Sequence, residues 1–194
     1  MSIVVHAPAR TFNRDEYYKM AEAGVFGPRE RVELIQGEII RMSPQNSPHA
    51  GSVSKATMVL TRSFGDTYIV RVQLPLTLAD DCEPEPDFAL VSPEALEKSL
   101  QANRHPGWAD LILEVADSSL AYDSCEKASL YACYAILDYW LLDVRARRLV
   151  VHRRPVDDPE QPFHYGYAEV TVFDAEACVA PLCLPDRVVQ VADM

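Results

Sequence analysis

Residues 83–91 read EPEPDFALV, residues 109–119 read ADLILEVADSS, and residues 122–143 read YDSCEKASLYACYAILDYWLLD. The first two stretches contain short continuous apolar runs, DFALV and LILEV, of the kind that form strands buried on both faces. Each run carries one carboxylate, at Asp87 and at Glu114. Asp87 directly follows Pro86, which places it at the end or edge of a sheet. Glu114 lies inside its run, where a carboxylate is costly to bury unless it is paired or meets a metal ion. The third stretch predicts a helix over 123–137, with Ala128, Tyr131, Ala132 and Ala135 packing inward and Lys127 near its start. Two acids on neighbouring strands, with a lysine brought close, outline a metal-dependent site that cleaves phosphodiesters. Magnesium sites use one or two carboxylates, with water and substrate phosphate completing the shell. Lys127 also has a plainer reading, since Asp123 four residues earlier makes an ordinary helical ion pair with it.

Upstream, the segment from Thr11 to Gly24 predicts a helix, with Asn13 and Glu16 spaced as a capping box and Gly24 as the stop. RVELIQGEIIRMSP predicts a hairpin turning at Gln36-Gly37. Glu33 and Glu38 flank that turn, where acids are ordinarily solvated, so a functional part for Glu33 depends on what other segments bring to it. Ser47-Pro48 predicts the start of a second helix, serine as its cap, with Val53, Ala56, Thr57, Leu60 and Phe64 as the apolar stripe and Gly65 as its end. His49 falls in its first turn, where the helix dipole disfavours a protonated imidazole. From Tyr68, alternation through Val70, Val72, Leu74, Leu76 and Leu78 predicts one long strand, with Arg71, Gln73 and Thr77 on its other face. Residues 92–108 read as loop with one helical turn. DYWLLDV and RLVVHRR predict a hairpin through Arg145-Ala146-Arg147, and GYAEVTVF and RVVQV add C-terminal strands. YAEVTVF is also a candidate edge for a two-fold homodimer.

The totals narrow the class. A chain of 194 residues, 48% hydrophobic and 24% charged, fits a single domain spanning 1–194. No apolar run is long enough to span a bilayer, and MSIVVHAPARTF lacks the features of a secretion signal. With five scattered cysteines and no CxxC pair, this points to reduced thiols, mostly used in packing, and a cytoplasmic protein. The net charge of -11, from 18 basic and 29 acidic residues, works against broad non-specific nucleic-acid binding, although a local groove can differ from the total.

PEPDFALV, DLILEVADSS and YDSCEKASLYACYAILDYWLLD resemble the Uma-two family, bacterial proteins with a restriction-endonuclease-like fold. Their superfamily motif is a proline-aspartate, a long gap, then an acid, any residue and a lysine. Here Pro86-Asp87 and Glu114-Val115-Ala116 match it, with Ala116 where the lysine belongs. The family resembled carries its lysine on the next helix, in a D-x-x-x-K-x-x-x-Y pattern matched by Asp123, Lys127 and Tyr131. Glu33 matches a glutamate in its E-L-I-x-G-E hairpin, His49 a histidine after it, and Gln73 a polar position on the strand before the aspartate. The resemblance covers roughly residues 30–155.

What the resemblance implies is an α/β fold with a central mixed sheet flanked by helices, an N-terminal helix and hairpin, and C-terminal strands. It also implies a Mg2+- or Mn2+-dependent endonuclease acting on DNA. Asp87 and Glu114 would be metal ligands, with Lys127 and Glu33 completing the catalytic set and Gln73, His49, Asp123 and Tyr131 supporting it. The competing expectation, favoured by the acidic balance, is a catalytically silent module that binds DNA or a protein on the same fold. A third is a buried Glu114–Lys127 ion pair with no further role.

Overall fold

The computed structural model describes residues 9–194. The stretch scanned for a secretion signal therefore lies mostly outside the described residues. Among them, no helix is long and apolar enough to cross a membrane. The five cysteines are free; Cys82 and Cys183 pack in the core clusters, whereas Cys125 and Cys178 are exposed.

The first helix, α1 (Arg14–Glu22), begins at the expected capping box: the Asn13 side chain accepts from Glu16 N–H, and the Glu16 carboxylate accepts from Asn13 N–H. The hairpin of β1 (Val32–Ile35) and β2 (Glu38–Arg41) turns at Gln36 and Gly37, both at positive φ. In the second helix, α2 (Ser47–Phe64), the cap is Asn46 rather than Ser47, because the Asn46 carboxamide oxygen accepts from His49 N–H. Pro48 sits in the first turn, where its missing N–H costs nothing.

Among the described residues, six strands form the central sheet: β3 (Ile69–Val72), β4 (Phe88–Val91), β5 (Leu111–Ala116), β6 (Asp138–Asp143), β7 (Arg148–Asp157) and β8 (Tyr165–Asp174), in that spatial order. All neighbours are antiparallel except β5 and β6. A parallel pair needs a crossover, and a helical segment supplies it: α4 (Leu120–Tyr122), a π-helical turn (Asp123–Lys127) and α5 (Ala128–Cys133). Beyond the sheet, β9 (Cys178–Val179) and β10 (Val189–Gln190) pair as a small ribbon.

The alternation of β5 sets the two layers. Leu111, Leu113 and Val115 pack with Val53, Ala56, Leu60 and Phe64 of α2, whereas Ile112 and Ala116 pack with Ala128 and Tyr131 of the crossover. Glu114 shares parity with the second set and so faces the crossover. The sheet is thus mixed and sandwiched between helices, as expected.

Three expectations need correction. The long strand from Tyr68 ends at Val72, because Gln73 adopts φ +50 and turns the chain away. Leu74 is consequently exposed while Leu76 is buried. Residues 93–101 form a full helix, α3 (Pro93–Gln101), because the Ser92 hydroxyl caps Ala95 N–H and a proline follows. The crossover helix begins earlier than Asp123 and stops at Cys133, since Ala135 reverses the chain at φ +56 and points to solvent.

Candidate active site

The register pairing Phe88 with Leu113 sets Asp87 against Glu114 at the mouth of β4 and β5. Backbone amides tie the two acids across the strands: Asp87 N–H donates to Glu114 Oε2 (3.0 Å), and the N–H of Val115, next to Glu114, donates to Asp87 Oδ2 (2.9 Å). The kink at Gln73 has a purpose here. Gln73 N–H donates to the Asp87 carbonyl (3.0 Å), and its side-chain Nε2 donates to Asp87 Oδ1 (3.0 Å). The Nε2 of His49, on the first turn of α2, lies 3.1 Å from Asp87 Oδ2.

Lys127 reaches the strands from the crossover. Its Nζ lies 2.6 Å from Glu33 Oε2 and 3.8 Å from Glu114 Oε1, and the side chain is almost fully buried. No ion pair forms between Lys127 and Asp123; the Ser119 hydroxyl holds the Asp123 carboxylate instead. The π-helical turn widens the winding between these two residues, with Ala128 N–H bonding back to the Asp123 carbonyl, so helical i to i+4 spacing does not apply. Tyr139 donates to the same carbonyl (2.8 Å) and pins the turn to β6. Tyr131 donates to Glu114 Oε1 (2.8 Å), fixing the glutamate from below. The expected residues Glu33, Gln73, His49, Asp87, Glu114, Asp123, Lys127 and Tyr131 therefore converge on one end of the sheet. Glu33 comes from β1, and its Oε2 also accepts from Glu85 N–H (3.1 Å).

Charge balance dictates how these groups ionise. Burial pushes Glu114 well above the ordinary carboxylate range, because Lys127 spends its closest contact on Glu33 and compensates Glu114 only in part. Burial likewise raises Asp123 to about 6, with Asp87 and Glu33 adding repulsion. Burial also works against ionised Asp87, but hydrogen bonds from His49, Gln73 and Val115 N–H hold it below its usual value. Lys127 is desolvated, yet Glu33 and Glu114 outweigh that cost and keep the ammonium charged. For His49 the hydrogen bond to Asp87 raises the pKa despite burial, so the neighbouring carboxylate overrides the helix dipole that the sequence suggested.

These groups line a cleft of about 370 Å³ that opens to solvent. Its lining includes residues with no sequence signal strong enough to single them out: Asn46 donates to Asp117 Oδ2 (2.6 Å) and Arg31 pairs with Glu85, while Arg145, from outside the cleft, donates to Asp117 Oδ1 (2.9 Å). Tyr122 also lines it, and burial raises its phenol to about 12. Asp117 follows β5 directly, which is the one local hint of its position at the strand end.

The donor set suits a hard divalent cation, being oxygen-rich with more carboxylate than cationic charge. Six carboxylates and three Lys or Arg side chains line the cleft. No three His, Cys, Asp or Glu side chains among the described residues form a ready-made metal cage. Asp87 and Glu114 are the two carboxylates that the paired strands bring face to face in this cleft.

The family model described as "Uma2: Putative restriction endonuclease" matches residues 14–192, and the chain belongs to this family. Among solved structures, a putative nuclease belonging to DUF820 from Anabaena variabilis shares the fold, with a TM-score of 0.68 at 18% identity over 94% of this chain and 96% of that one. Comparison with curated proteins returns no match.

Proposed function

We propose that this member of the Uma2 family is a Mg2+- or Mn2+-dependent endonuclease that hydrolyses DNA phosphodiester bonds. The observation that carries the reading is Glu114, a buried carboxylate aligned with Asp87 and only partly compensated by Lys127. Asp87 and Glu114 would hold the ion. When bound, it would polarise the phosphoryl group and lower the pKa of a water enough to supply hydroxide near neutral pH.

The chain's own residues do the rest. Gln73 and Tyr131 orient the two carboxylates from outside the cleft, as hydrogen-bonding partners of metal ligands generally do. Lys127 stays protonated, so it does not act as a base; it donates to the attacking water or to the charge developing on the phosphate. Glu33 anchors Lys127 in that position. We further read residues 1–194 as one domain in a cytoplasmic protein, with the exposed edge of β8 as the surface for a two-fold dimer. Light scattering tests the dimer.

The test of function is incubation of the purified protein with labelled single- and double-stranded DNA, with magnesium, manganese or chelator. Cleavage that needs the metal and disappears in Asp87→Ala and Lys127→Ala supports the reading. Absence of cleavage under every condition, or full cleavage by both variants, removes it in favour of a silent binding module.

A further inference from the structure

A second cavity, of about 230 Å³, opens beside the cleft. β5 and β6 run parallel with Ala116 opposite Asp143, so their carboxyl ends lie side by side, ~4.8 Å apart. Asp117, after β5, lines the cleft; Asp143 and Val144, at the end of β6, line the second cavity. α2 and its cap wall both, with Asn46 and His49 lining the cleft and Ser52 and Lys55 its neighbour. The two cavities are therefore consecutive stations along one end of the sheet.

Their charges are opposite in character. Carboxylates dominate the cleft, whereas the second cavity offers Lys55 and Arg147, neither of which has a carboxylate within 4.0 Å among the described residues. Its one acidic side chain, Asp143, is already engaged by Arg148 (3.1 Å) and Ala146 N–H (3.0 Å). The hairpin between β6 and β7 carries three arginines with different engagements. Arg145 binds Asp117 and Arg148 binds Asp143, while Arg147 is left unpaired at φ +51, a turn position that favours Gly or Asn. Turn geometry alone gives no reason for an arginine there, and a ligand anion does. Lys55 and Arg147, both without an ion-pair partner among the described residues, and the Ser52 hydroxyl surround one concavity, a donor set that suits a phosphate.

We propose that this second cavity is a phosphate subsite, in which Lys55 and Arg147 grip a backbone phosphate of the DNA strand whose scissile bond lies in the cleft. The inference rests on the nuclease reading. An acidic cleft needs a metal to receive a phosphodiester, so direct cationic contacts beside it are what would hold the strand in register.

The test is fluorescence anisotropy with a labelled DNA duplex in chelator, where no cleavage occurs, over a range of salt concentrations. The Lys55→Ala, Arg147→Ala double variant is expected to bind on the order of 10-fold more weakly at low salt. Its plot of log affinity against log salt should be shallower by about 0.9, the loss of one phosphate contact. Lys98→Ala, which removes a charge from exposed α3, should match the wild type. In cleavage, the double variant's defect should appear in KM. Wild-type affinity and slope in the double variant, or an equal loss in Lys98→Ala, would overturn the subsite while leaving a cleaving enzyme intact. A wild-type protein that neither binds nor cleaves DNA would overturn both readings.

Discussion

Lys127 is committed to Glu33, with Nζ 2.6 Å from Oε2, and stands 3.8 Å from Glu114. The lysine thus arrives at the site already neutralised by a residue from the N-terminal hairpin, nearly a hundred positions away in the chain. Glu33→Leu leaves a buried ammonium with one distant partner and should cost about 3–5 kcal/mol in urea unfolding. Adding Lys127→Met to it should recover much of that stability, because replacing a whole buried pair by apolar groups is often neutral. The double variant should remain inactive in cleavage.

Gln73 accepts a left-handed backbone in order to hold Asp87 through both its main chain and its side chain. Gln73→Gly keeps the left-handed turn and removes the side chain that carries the carboxamide. Metal affinity or turnover should fall ~10–100-fold, the usual consequence of losing a partner that orients a metal ligand. Thermal unfolding should move far less than activity.

His152 lies in the aromatic cluster of Tyr139 and Tyr167, and its Nδ1 is buried without a hydrogen-bond partner. Burial pushes its pKa down to about 4. The unfolded chain, with an ordinary histidine near 6.5, takes up the proton first as pH falls. The associated stability is therefore complete above about 6.5 and is lost progressively between there and about 4. That gap corresponds to about 3 kcal/mol. His152→Phe should flatten the stability profile in this window, as followed by denaturant unfolding at stepped pH.

Asp138 opens β6 fully buried, held by Arg153 (2.8 Å to Nε), Trp140 Nε1 (2.9 Å) and Leu182 N–H (2.7 Å). It ties the C-terminal segment to the sheet. Asp138→Ala should destabilise by about 3–5 kcal/mol, since it leaves the buried Trp140 Nε1 and Leu182 N–H without their acceptor and half-buried Arg153 without its carboxylate. Differential scanning calorimetry would read this directly.

The features legible in the sequence are those set by local pattern. LILEV and DFALV announced buried strands, and Glu114 stood out because an apolar run has no reason to carry a carboxylate. Asn13 with Glu16, and Gln36 with Gly37, announced a helix start and a turn. What stayed hidden depends on tertiary context. The alternation after Tyr68 continues past Val72 although the strand does not, because the tie between Gln73 and Asp87 overrides β propensity. The spacing of Asp123 and Lys127 suggested an ion pair, but the π-helical turn sends the lysine to Glu33. The contacts of Asn46 and Arg145 with Asp117 join segments about 70 and 30 residues apart. Periodicity does not encode such contacts.

The central claim is that Asp87 and Glu114 together hold a divalent ion, and manganese titration followed by electron paramagnetic resonance tests it most directly. The wild-type protein should bind Mn2+ at a site that is lost in both Asp87→Ala and Glu114→Ala and survives in Asp138→Asn. A wild-type protein that binds no manganese, or a Glu114→Ala variant that binds it as well as the wild type, would contradict the claim.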